Sequence, residues 1–407
     1  MRIFIAVRHA NDPAAFYGGL WSGNFYPALT ALGHELIESQ TDLAPTSRFM
    51  DVADGFTRQE LAVRAETTAR IIEELERAHA RQPIDLFLSY FYNAHFDPAG
   101  FDRVHALGIR SINYYCNSIH QFANVAAIAA KVDVSWHAER DARDSYLRAG
   151  ARPVWVQMAA DPRVYHPVDV DRIPRACFVG QNYADRGDWM AALIEAGVPV
   201  EIYGPGWGFA DPASPVAASS APAEYLGRPQ PVPGSWPGYR KAARDIIAAE
   251  GLVGGVSRIG KRLVQRRSQQ RQIDLFAPHA RGPVRFDRQL DVFGRHEVCL
   301  NFSNVWVDGP RGRRLVPHVR LRDFEAPMCR TCYLTGHTDE ITAFYEIGRE
   351  IDTYQTPEEL VDKTRFYLAH PDAAERLREA GYRRALASHT WVHRFTELFS
   401  KTGLGPH

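Results

Sequence analysis

The sequence contains no apolar run that approaches the ~20 residues a helix needs to cross a bilayer. It has only five cysteines, scattered along the chain, which argues against a disulfide framework and favours a reducing compartment. Basic and acidic residues both number 48, so the charge balance gives no indication of nucleic-acid binding. These absences, with a composition that is 45% hydrophobic and 24% charged, predict a cytoplasmic globular enzyme.

Two common nucleotide-binding motifs are also missing. Neither GxGxxG nor GxxxxGK[ST] occurs, so a dehydrogenase or a P-loop enzyme loses support. Cys329 and Cys332 form one CxxC, but no second pair completes a zinc site, and we favour packing over redox or metal chemistry. His389 and His393 lie four residues apart without a third ligand. We therefore predict no metal site and no permanent cofactor.

The length of 407 residues is too great for one core and predicts two domains. In the first half, short apolar runs alternate with helical patterns, which favours a parallel sheet covered by helices on both faces. The predicted strands there are residues 2–7, 35–38, 84–90, 110–115, 132–136 and 153–157. Residues 1–165 form the first predicted doubly wound α/β domain.

A segment at 161–174 carries three prolines and several charges, which is typical of a linker. The alternation of strands and helices then restarts and predicts a second doubly wound domain over 172–387. Its predicted strands are residues 176–180, 200–203, 297–302, 332–335 and 350–352. Two facing sheets of this kind leave a cleft between them, where ligands bind in open α/β folds.

An insertion at about 208–280 interrupts the second domain. Residues 211–238 are rich in proline, alanine, serine and glycine, which predicts a loop. At 256–271 the sequence places apolar residues on one helical face among arginine and lysine residues. Such a helix can lie on an anionic membrane surface. We favour a helix docked on its own domain, because Gly260 weakens the helix and no large aromatic residue anchors it.

The strongest chemical indication is the sequence VRLRDFEAPMCRTCY at 319–333. Glu325 lies near the start of a predicted helix, where a carboxylate can accept hydrogen bonds from both hydroxyls of a ribose. The free N–H groups and dipole of the helix N-terminus suit a phosphate. Arg320 and Arg322, just upstream, add charge-assisted bonds to an anion. The segment therefore predicts a nucleotide site.

The ends of the predicted strands supply further candidates for contact with that nucleotide. Arg186 begins the helix after the first strand of the second domain, and a guanidinium beside a helix N-terminus suits a pyrophosphate. Glycines let the backbone approach a sugar or phosphate closely, although an ordinary turn explains a Gly-Gly pair equally well. The remaining predicted contacts are Gly18, Gly19, Gly204, Ser303 and Thr335.

Several segments resemble one group of enzymes in order and spacing. They read CFVGQNYADRGDWMAAL, VEIYGPGW, EVCLNFS and VRLRDFEAPMCRTCYLTG. From about residue 176 to its end, the chain resembles the C-terminal half of GT-B glycosyltransferases, particularly the group related to the spore-maturation protein CgeB. The resemblance implies two facing Rossmann-like domains, a nucleotide-sugar donor held by the second and an acceptor held by the first.

The resemblance also implies roles for individual residues. Glu325 matches the family's ribose-binding glutamate, Arg186 matches the basic residue that meets the diphosphate, and Arg322 is a second phosphate candidate. Val284 lies in the segment whose backbone contacts the base in the family. The final helix, about 388–407, is expected to pack back on the first domain.

The sequence departs from the family in the catalytic region. Retaining relatives carry a second glutamate near the transferred sugar, whereas this chain has Pro317 and His318 there. We expect metal-independent transfer of a sugar from a nucleotide-diphosphate sugar to an unknown acceptor hydroxyl. If the reaction inverts the anomeric centre, a base from the first domain is required. The candidates are Asp12, His95 and His120.

Two alternatives stay open at this stage. A nucleotide-sugar epimerase of the same architecture would need additional acid/base carboxylates in the cleft. A non-catalytic nucleotide-sugar-binding protein is consistent with the missing glutamate. The sequence does not specify the base or sugar of the donor, or the acceptor.

Overall fold

A computed structural model describes residues 1–7, 20–208, 224–225, 228–229, 272, 274–307 and 314–404 of the chain. Two six-stranded parallel sheets, each covered by helices, dominate these residues. The predicted fold class is confirmed. The predictions for Asp12, Gly18, Gly19 and the basic segment 256–271 fall outside the described residues.

The first sheet has the strand order β2-β1-β3-β4-β5-β6, and all neighbouring strands are parallel. Its strands are β1 Arg2–Ala6, β2 Glu35–Glu38, β3 Leu86–Ser89, β4 Arg110–Tyr115, β5 Val134–His137 and β6 Pro153–Trp155. The helices around it are α1 Leu20–Ala31, α2 Ala44–Ser47, α3 Arg58–Arg81, α4 Gly100–Ala106, α5 Ser118–Gln121, α6 Ala126–Ala129 and α7 Arg143–Arg148.

The second sheet has the order β11-β8-β7-β12-β15-β16, again with parallel neighbours. Its strands are β7 Ile173–Val179, β8 Val200–Tyr203, β11 Ala280–Gly282, β12 His296–Asn301, β15 Tyr333–Gly336 and β16 Asp352–Tyr354. Two short antiparallel pairs join β9 Glu224–Tyr225 to β10 Arg228–Pro229 and β13 Asn304–Trp306 to β14 Leu315–Pro317. The helices are α8 Arg186–Glu195, α9 Phe286–Arg295, α10 Arg322–Met328, α11 Pro357–Ala369, α12 Pro371–Ser388 and α13 Trp391–Thr402.

The central strands are buried on both faces because helices cover both sides of each sheet. All four residues of β3 and all six of β12 are buried. The 24-residue helix α3 begins at a strong capping signal, where Thr57 and Glu60 form a reciprocal capping box. None of the described helices is long and apolar enough to cross a membrane.

The last helix, α13, leaves the second sheet and packs against α1 of the first. Trp391 Nε1 donates a hydrogen bond to Asn24 Oδ1 at 3.0 Å, and both side chains are buried. The rings of Trp391 and Phe395 lie 4.8 and 5.1 Å from the ring of Phe25. This contact attaches the last helix to the domain of the first sheet.

Candidate functional site

The candidate site lies at the switch point of the second sheet, where the strand order reverses. From β7, the chain adds β8 and β11 on one side and β12, β15 and β16 on the other. The loops after β7 and β12 therefore separate and leave a crevice, which is where open α/β sheets bind ligands. Across this crevice Asn304 Nδ2 donates to Asp185 Oδ2 at 2.5 Å.

Gly204 lets the loop after β8 approach the loop after β7. Its φ of +138° lies in a region that favours glycine. A Cβ atom at this position would stand 2.3 Å from the carbonyl oxygen of Gly180, so any side chain would force the two loops apart. The predicted site residue Gly204 thus shapes the edge of the crevice.

Arg186 starts α8 at this edge and is almost fully buried, with 9% of its surface exposed. Its guanidinium lies 5.4 Å over the Phe178 ring and donates through Nη1 to the Gln181 carbonyl at 3.1 Å. Nε has no hydrogen-bond partner in the described chain. Burial, followed by repulsion from Arg320, lowers the pKa of Arg186 to about 9.

Arg320 is half-buried and provides a second guanidinium close enough to act on the charge of the first. It donates to the Asn304 carbonyl at 2.8 Å, and its Nε is also without a partner among the described residues. Burial lowers its pKa as well. Within the described part of the chain, neither Arg186 nor Arg320 has a carboxylate within ion-pair distance. Two desolvated, unpaired cations are costly, and the arrangement suits an anion that would neutralise both.

Glu325 and Arg322 occupy a different part of the site from Arg186. The two side chains form an ion pair at 2.9 Å, and the Arg322 guanidinium lies 4.9 Å over the Phe293 ring. The other Glu325 oxygen accepts a hydrogen bond from Tyr165 at 2.5 Å. The charge of Arg322 is thus paired with that of Glu325, while its Nη1 makes no hydrogen bond to a described residue, and phosphate contact by Arg322 stays a prediction. Arg320, two residues earlier, is a further phosphate candidate.

The other predicted donor contacts differ in accessibility. Val284 is half-buried just after β11 and lies on the same hydrophobic cluster as Leu321. Ser303 is buried and donates to the Gly336 carbonyl at 2.7 Å. Thr335 is fully buried, and its hydroxyl donates to Asp323 at 2.9 Å. This hydrogen bond connects β15 to α10, and donor contact by Thr335 stays a prediction.

The two described histidine candidates for the base have different surroundings. His95 is completely buried; Nδ1 accepts from the Tyr92 N–H at 3.1 Å and Nε2 lies 3.1 Å from Ser47 Oγ. With both ring nitrogens engaged, His95 is better explained as a structural residue than as a base.

His120 bridges the two domains. Its Nδ1 donates to the Trp306 carbonyl at 2.9 Å, and the Tyr183 hydroxyl lies 3.2 Å from the same nitrogen. Because Nδ1 carries the proton in this arrangement, Nε2 is left as the basic nitrogen. His120 is half-buried, so it contacts the second domain at the cleft but is not enclosed.

Sequence reasoning missed Glu139, which follows β5 at the cleft edge of the first sheet. Its Oε2 accepts from the Ile119 N–H at 2.6 Å, and its Oε1 lies 3.4 Å from His318 Nδ1 of the second domain. Burial raises the pKa of Glu139 to about 8, and burial lowers that of His318. The sequence could have indicated Glu139 only through its position after a strand, because residues at the ends of the strands line the cleft.

A cavity of about 350 Å³ opens at the edge of the second sheet. Trp189, one turn beyond Arg186 on α8, and Tyr354 give it aromatic walls, and Asn304 and Gln355 add polar groups. Aromatic and amide side chains together suit a sugar ring, which has both apolar faces and hydroxyl edges.

Cys329 and Cys332 are free thiols and both are buried. Burial raises the pKa of Cys329, which keeps the thiol unreactive. No group of three or more His, Cys, Asp or Glu side chains in these parts of the chain is arranged to hold a metal ion.

Comparisons with known proteins agree with the two-sheet α/β architecture described above. Residues 257–400 match the model of a family described as glycosyl transferase-like. No curated protein matches the chain in sequence. Among solved structures, the sucrose-phosphate synthase of Thermosynechococcus elongatus aligns over 99% of both chains, with a TM-score of 0.53 and 15% identity. The fold is GT-B.

Two further structures support this assignment of the fold. HepE of Anabaena, solved with UDP and glucose, covers 98% of each chain with a TM-score of 0.52 and 11% identity. A glycosyltransferase of Rickettsia africae covers 99% of this chain and 98% of its own, with a TM-score of 0.53 and 10% identity. At such identities the likeness establishes the GT-B architecture, and individual residue roles rest on the geometry above.

Proposed function

We propose that this GT-B protein is a glycosyltransferase that moves a sugar from a nucleotide-diphosphate sugar to an acceptor hydroxyl. The observation that carries the proposal is the pair of guanidinium groups at the mouth of the crevice, Arg186 and Arg320, which lack a carboxylate partner among the described residues. Arg186 is buried, and Arg320 is half-buried with its Nε enclosed. Proteins rarely bury unpaired charge without compensation. A diphosphate would supply two negative groups at this place.

The rest of the donor then extends along the second domain. The base would contact the backbone near Val284, after β11, and the ribose diol would meet the Glu325 carboxylate. Tyr165 donates a hydrogen bond to one carboxylate oxygen, and Arg322 faces the other at ion-pair distance without a hydrogen bond. Each oxygen can accept a further hydrogen bond. The sugar would enter the cavity walled by Trp189 and Tyr354. UDP-sugars are the first donors to test, because HepE was solved with UDP-glucose.

Catalysis in this arrangement is mainly electrostatic. Negative charge develops on the diphosphate as it leaves, and Arg186 and Arg320 are already desolvated and positioned beside it. The acceptor would bind on the first domain, opposite the donor. Movement of the two domains about the linker would admit the substrates and then exclude water from the cleft. Kinship with the CgeB-related group, a cytoplasmic location and membrane contact through 256–271 are further proposals.

A thermal-shift screen tests the proposal directly. The purified protein would be heated with nucleoside diphosphates, their sugars and the corresponding monophosphates. We expect diphosphates to raise the midpoint of unfolding and monophosphates to do so much less, since only diphosphates span both arginines. A ligand at a hundred times its dissociation constant adds about 2.7 kcal/mol of stability.

Product analysis completes the test. Release of the nucleoside diphosphate with a transferred or hydrolysed sugar supports a transferase, and an intact nucleotide sugar of altered configuration supports an epimerase. Stabilisation without either product would indicate a binding protein. If no nucleotide stabilises the protein, the proposed donor site is wrong.

A further inference from the structure

The second domain lacks a carboxylate where the chain has Pro317 and His318, and the first domain brings one to the same place. Glu139 Oε1 lies 3.4 Å from His318 Nδ1 across the cleft. Glu139 is 2% exposed and His318 is 7% exposed. Two distant parts of the sequence thus meet at one enclosed point between the domains.

Both facing atoms lack a hydrogen bond. Neither Glu139 Oε1 nor His318 Nδ1 has a partner in the described chain that satisfies hydrogen-bond geometry. The two atoms lie within ion-pair distance of each other but not in hydrogen-bond geometry. Because buried polar atoms are almost always hydrogen-bonded in native proteins, a polar group beside this pair would complete the bonding of both. A hydroxyl can donate to one and accept from the other.

The two atoms lie beside the proposed diphosphate site. The backbone N–H of His318 donates to the Ser303 carbonyl at 3.3 Å, which fixes the residue at the end of β12. Arg320 is two residues further along the same loop. The positive charge of Arg320 stabilises the ionised form of Glu139. The reacting carbon of a sugar on that diphosphate would therefore lie near the Glu139 carboxylate.

We propose that Glu139 is the proton acceptor of the transfer reaction and that the acceptor hydroxyl binds to one side of the Glu139–His318 pair, in contact with both side chains. This inference rests on the proposed glycosyltransferase function and replaces Asp12, His95 and His120 as the preferred base. The Ile119 N–H holds the second oxygen of Glu139 at 2.6 Å, so the carboxylate has a fixed direction. His318 is a positioning residue that orients the hydroxyl.

The step balances without a further reactant. The acceptor oxygen forms a bond to the anomeric carbon of the sugar, and its proton passes to Glu139. The bond between that carbon and the diphosphate oxygen breaks, and the electron pair stays on the diphosphate beside Arg186 and Arg320. The proton returns from Glu139 to solvent when the domains open. With water as the acceptor, the same step is donor hydrolysis.

The electrostatic surroundings of Glu139 are compatible with this role. Burial raises its pKa to about 8, while the N–H groups of Ile119 and Ser118 and the charge of Arg320 oppose the rise and Glu340 adds to it. His318 faces it with a lowered pKa and is neutral near pH 7. A general base works best when its pKa lies close to the working pH.

The test compares Glu139→Gln with Glu340→Gln. Glu340 is a matched control because it also lies between the domains, where its Oε1 accepts from Gln157 Nε2 at 2.9 Å. The donor is whichever nucleotide-diphosphate sugar stabilises the wild-type protein most, and the readout is release of nucleoside diphosphate. We expect Glu139→Gln to lower kcat about 100-fold or more, with little change in donor affinity. Glu340→Gln should keep the wild-type rate at high pH, where Glu139 is ionised, and reach it at lower pH, because the Glu340 charge contributes to the raised pKa of Glu139.

A pH profile separates proton transfer from a structural effect. Wild-type kcat should rise with pH up to about 8 and then level, whereas Glu139→Gln should lose this rise. Glu139→Asp retains the ionisable group and should keep a pH-dependent but slower reaction. Equal kcat in wild type and Glu139→Gln, or an unchanged pH profile, would overturn the inference. Donor binding by the variant would leave the proposed function intact in that case.

Discussion

The hydroxyl of Tyr165 donates a 2.5 Å hydrogen bond to Glu325, across the junction between the linker and the second domain. Both side chains are buried, and Arg322 holds the other carboxylate oxygen at 2.9 Å. The carboxylate is thereby fixed in direction before any ligand arrives. Pre-orientation of this kind lowers the entropic cost of binding a diol.

The ribose contact can be tested with a change in the nucleotide and a change in the protein together. Wild type should prefer a nucleoside diphosphate over its 2′-deoxy analogue, because Glu325 bonds the vicinal hydroxyls. Glu325→Gln should bind the ribonucleotide roughly tenfold or more weakly, since a charge-assisted hydrogen bond contributes about 1.5–3 kcal/mol. It should show little preference between the two nucleotides. Calorimetric titration of all four combinations measures this; an unchanged preference in the variant would remove Glu325 from the ribose site.

Substitution by methionine should have opposite effects on stability at Arg186 and at Arg322. Arg186→Met removes a buried, unpaired cation, so the midpoint of unfolding should stay the same or rise while diphosphate affinity falls about 10- to 100-fold. Arg322→Met leaves Glu325 buried without its partner and should cost about 3–5 kcal/mol of stability. Thermal unfolding and nucleotide titration of both variants check the contrast. A strongly destabilised Arg186→Met would mean that the guanidinium has a structural function.

Much of the fold is visible in the sequence because central parallel strands are continuous apolar runs. Each predicted strand of the first sheet overlaps an observed one, and β8 has the predicted bounds of 200–203. Three strands of only three residues each, β11, β13 and β14, were not predicted. These elements are defined by their neighbours in space rather than by local hydrophobicity.

The site was harder to predict because it depends on which neighbour each side chain faces. Arg320 and Arg322 look equivalent in the sequence, yet Arg322 pairs with Glu325 and Arg320 faces the crevice. In the sequence, Glu139 stands three residues after the predicted strand 132–136 and belongs to no motif. Its significance comes from His318, which is distant in sequence, and only the docking of the two domains brings them together.

Gly204 should tolerate substitution far less than another glycine with positive φ. Gly204→Ala places a methyl group 2.3 Å from the Gly180 carbonyl oxygen, so the loops after β7 and β8 must shift and diphosphate binding should weaken. Gly197 has a φ of +74°, but a methyl group there would meet no described atom within 4 Å. Gly197→Ala should cost only about 1–2 kcal/mol and leave binding unchanged. Nucleotide titration and thermal unfolding distinguish the two; equal affinity in both variants would contradict the shaping role of Gly204.

Loss of the indole that anchors α13 should affect stability rather than donor binding. Trp391 is fully buried and bonded to Asn24, so Trp391→Ala should lower the free energy of unfolding by about 3–5 kcal/mol. The donor site on the second domain does not include this contact. Urea unfolding followed by titration of the folded variant tests both parts. A large loss of nucleotide affinity in folded protein would show that docking of α13 is coupled to the donor site.

The buried carboxyl of Glu139 should leave a signature in the pH dependence of stability. Its pKa is about 8 in the folded protein against 4.5 ordinarily, so between these values the folded state holds a proton that the unfolded state has lost. Stability from this group is therefore complete below about pH 4.5 and falls as the pH rises to about 8. Glu139→Gln has no such proton and should not show this fall.

The difference in the free energy of unfolding between wild type and Glu139→Gln isolates the contribution of the Glu139 carboxyl. Burial lowers the pKa of His389 to about 3 and that of His137 to about 4, and these groups make stability rise with pH up to about 6.5 in both proteins. Their effects cancel when the free energies of unfolding are subtracted at each pH. The stability of Glu139→Gln relative to wild type should increase steadily from about pH 5 to about pH 8, as measured by urea unfolding. Parallel pH curves would mean that Glu139 ionises normally in the folded protein, and the cleft would then hold a permanent negative charge beside Arg320.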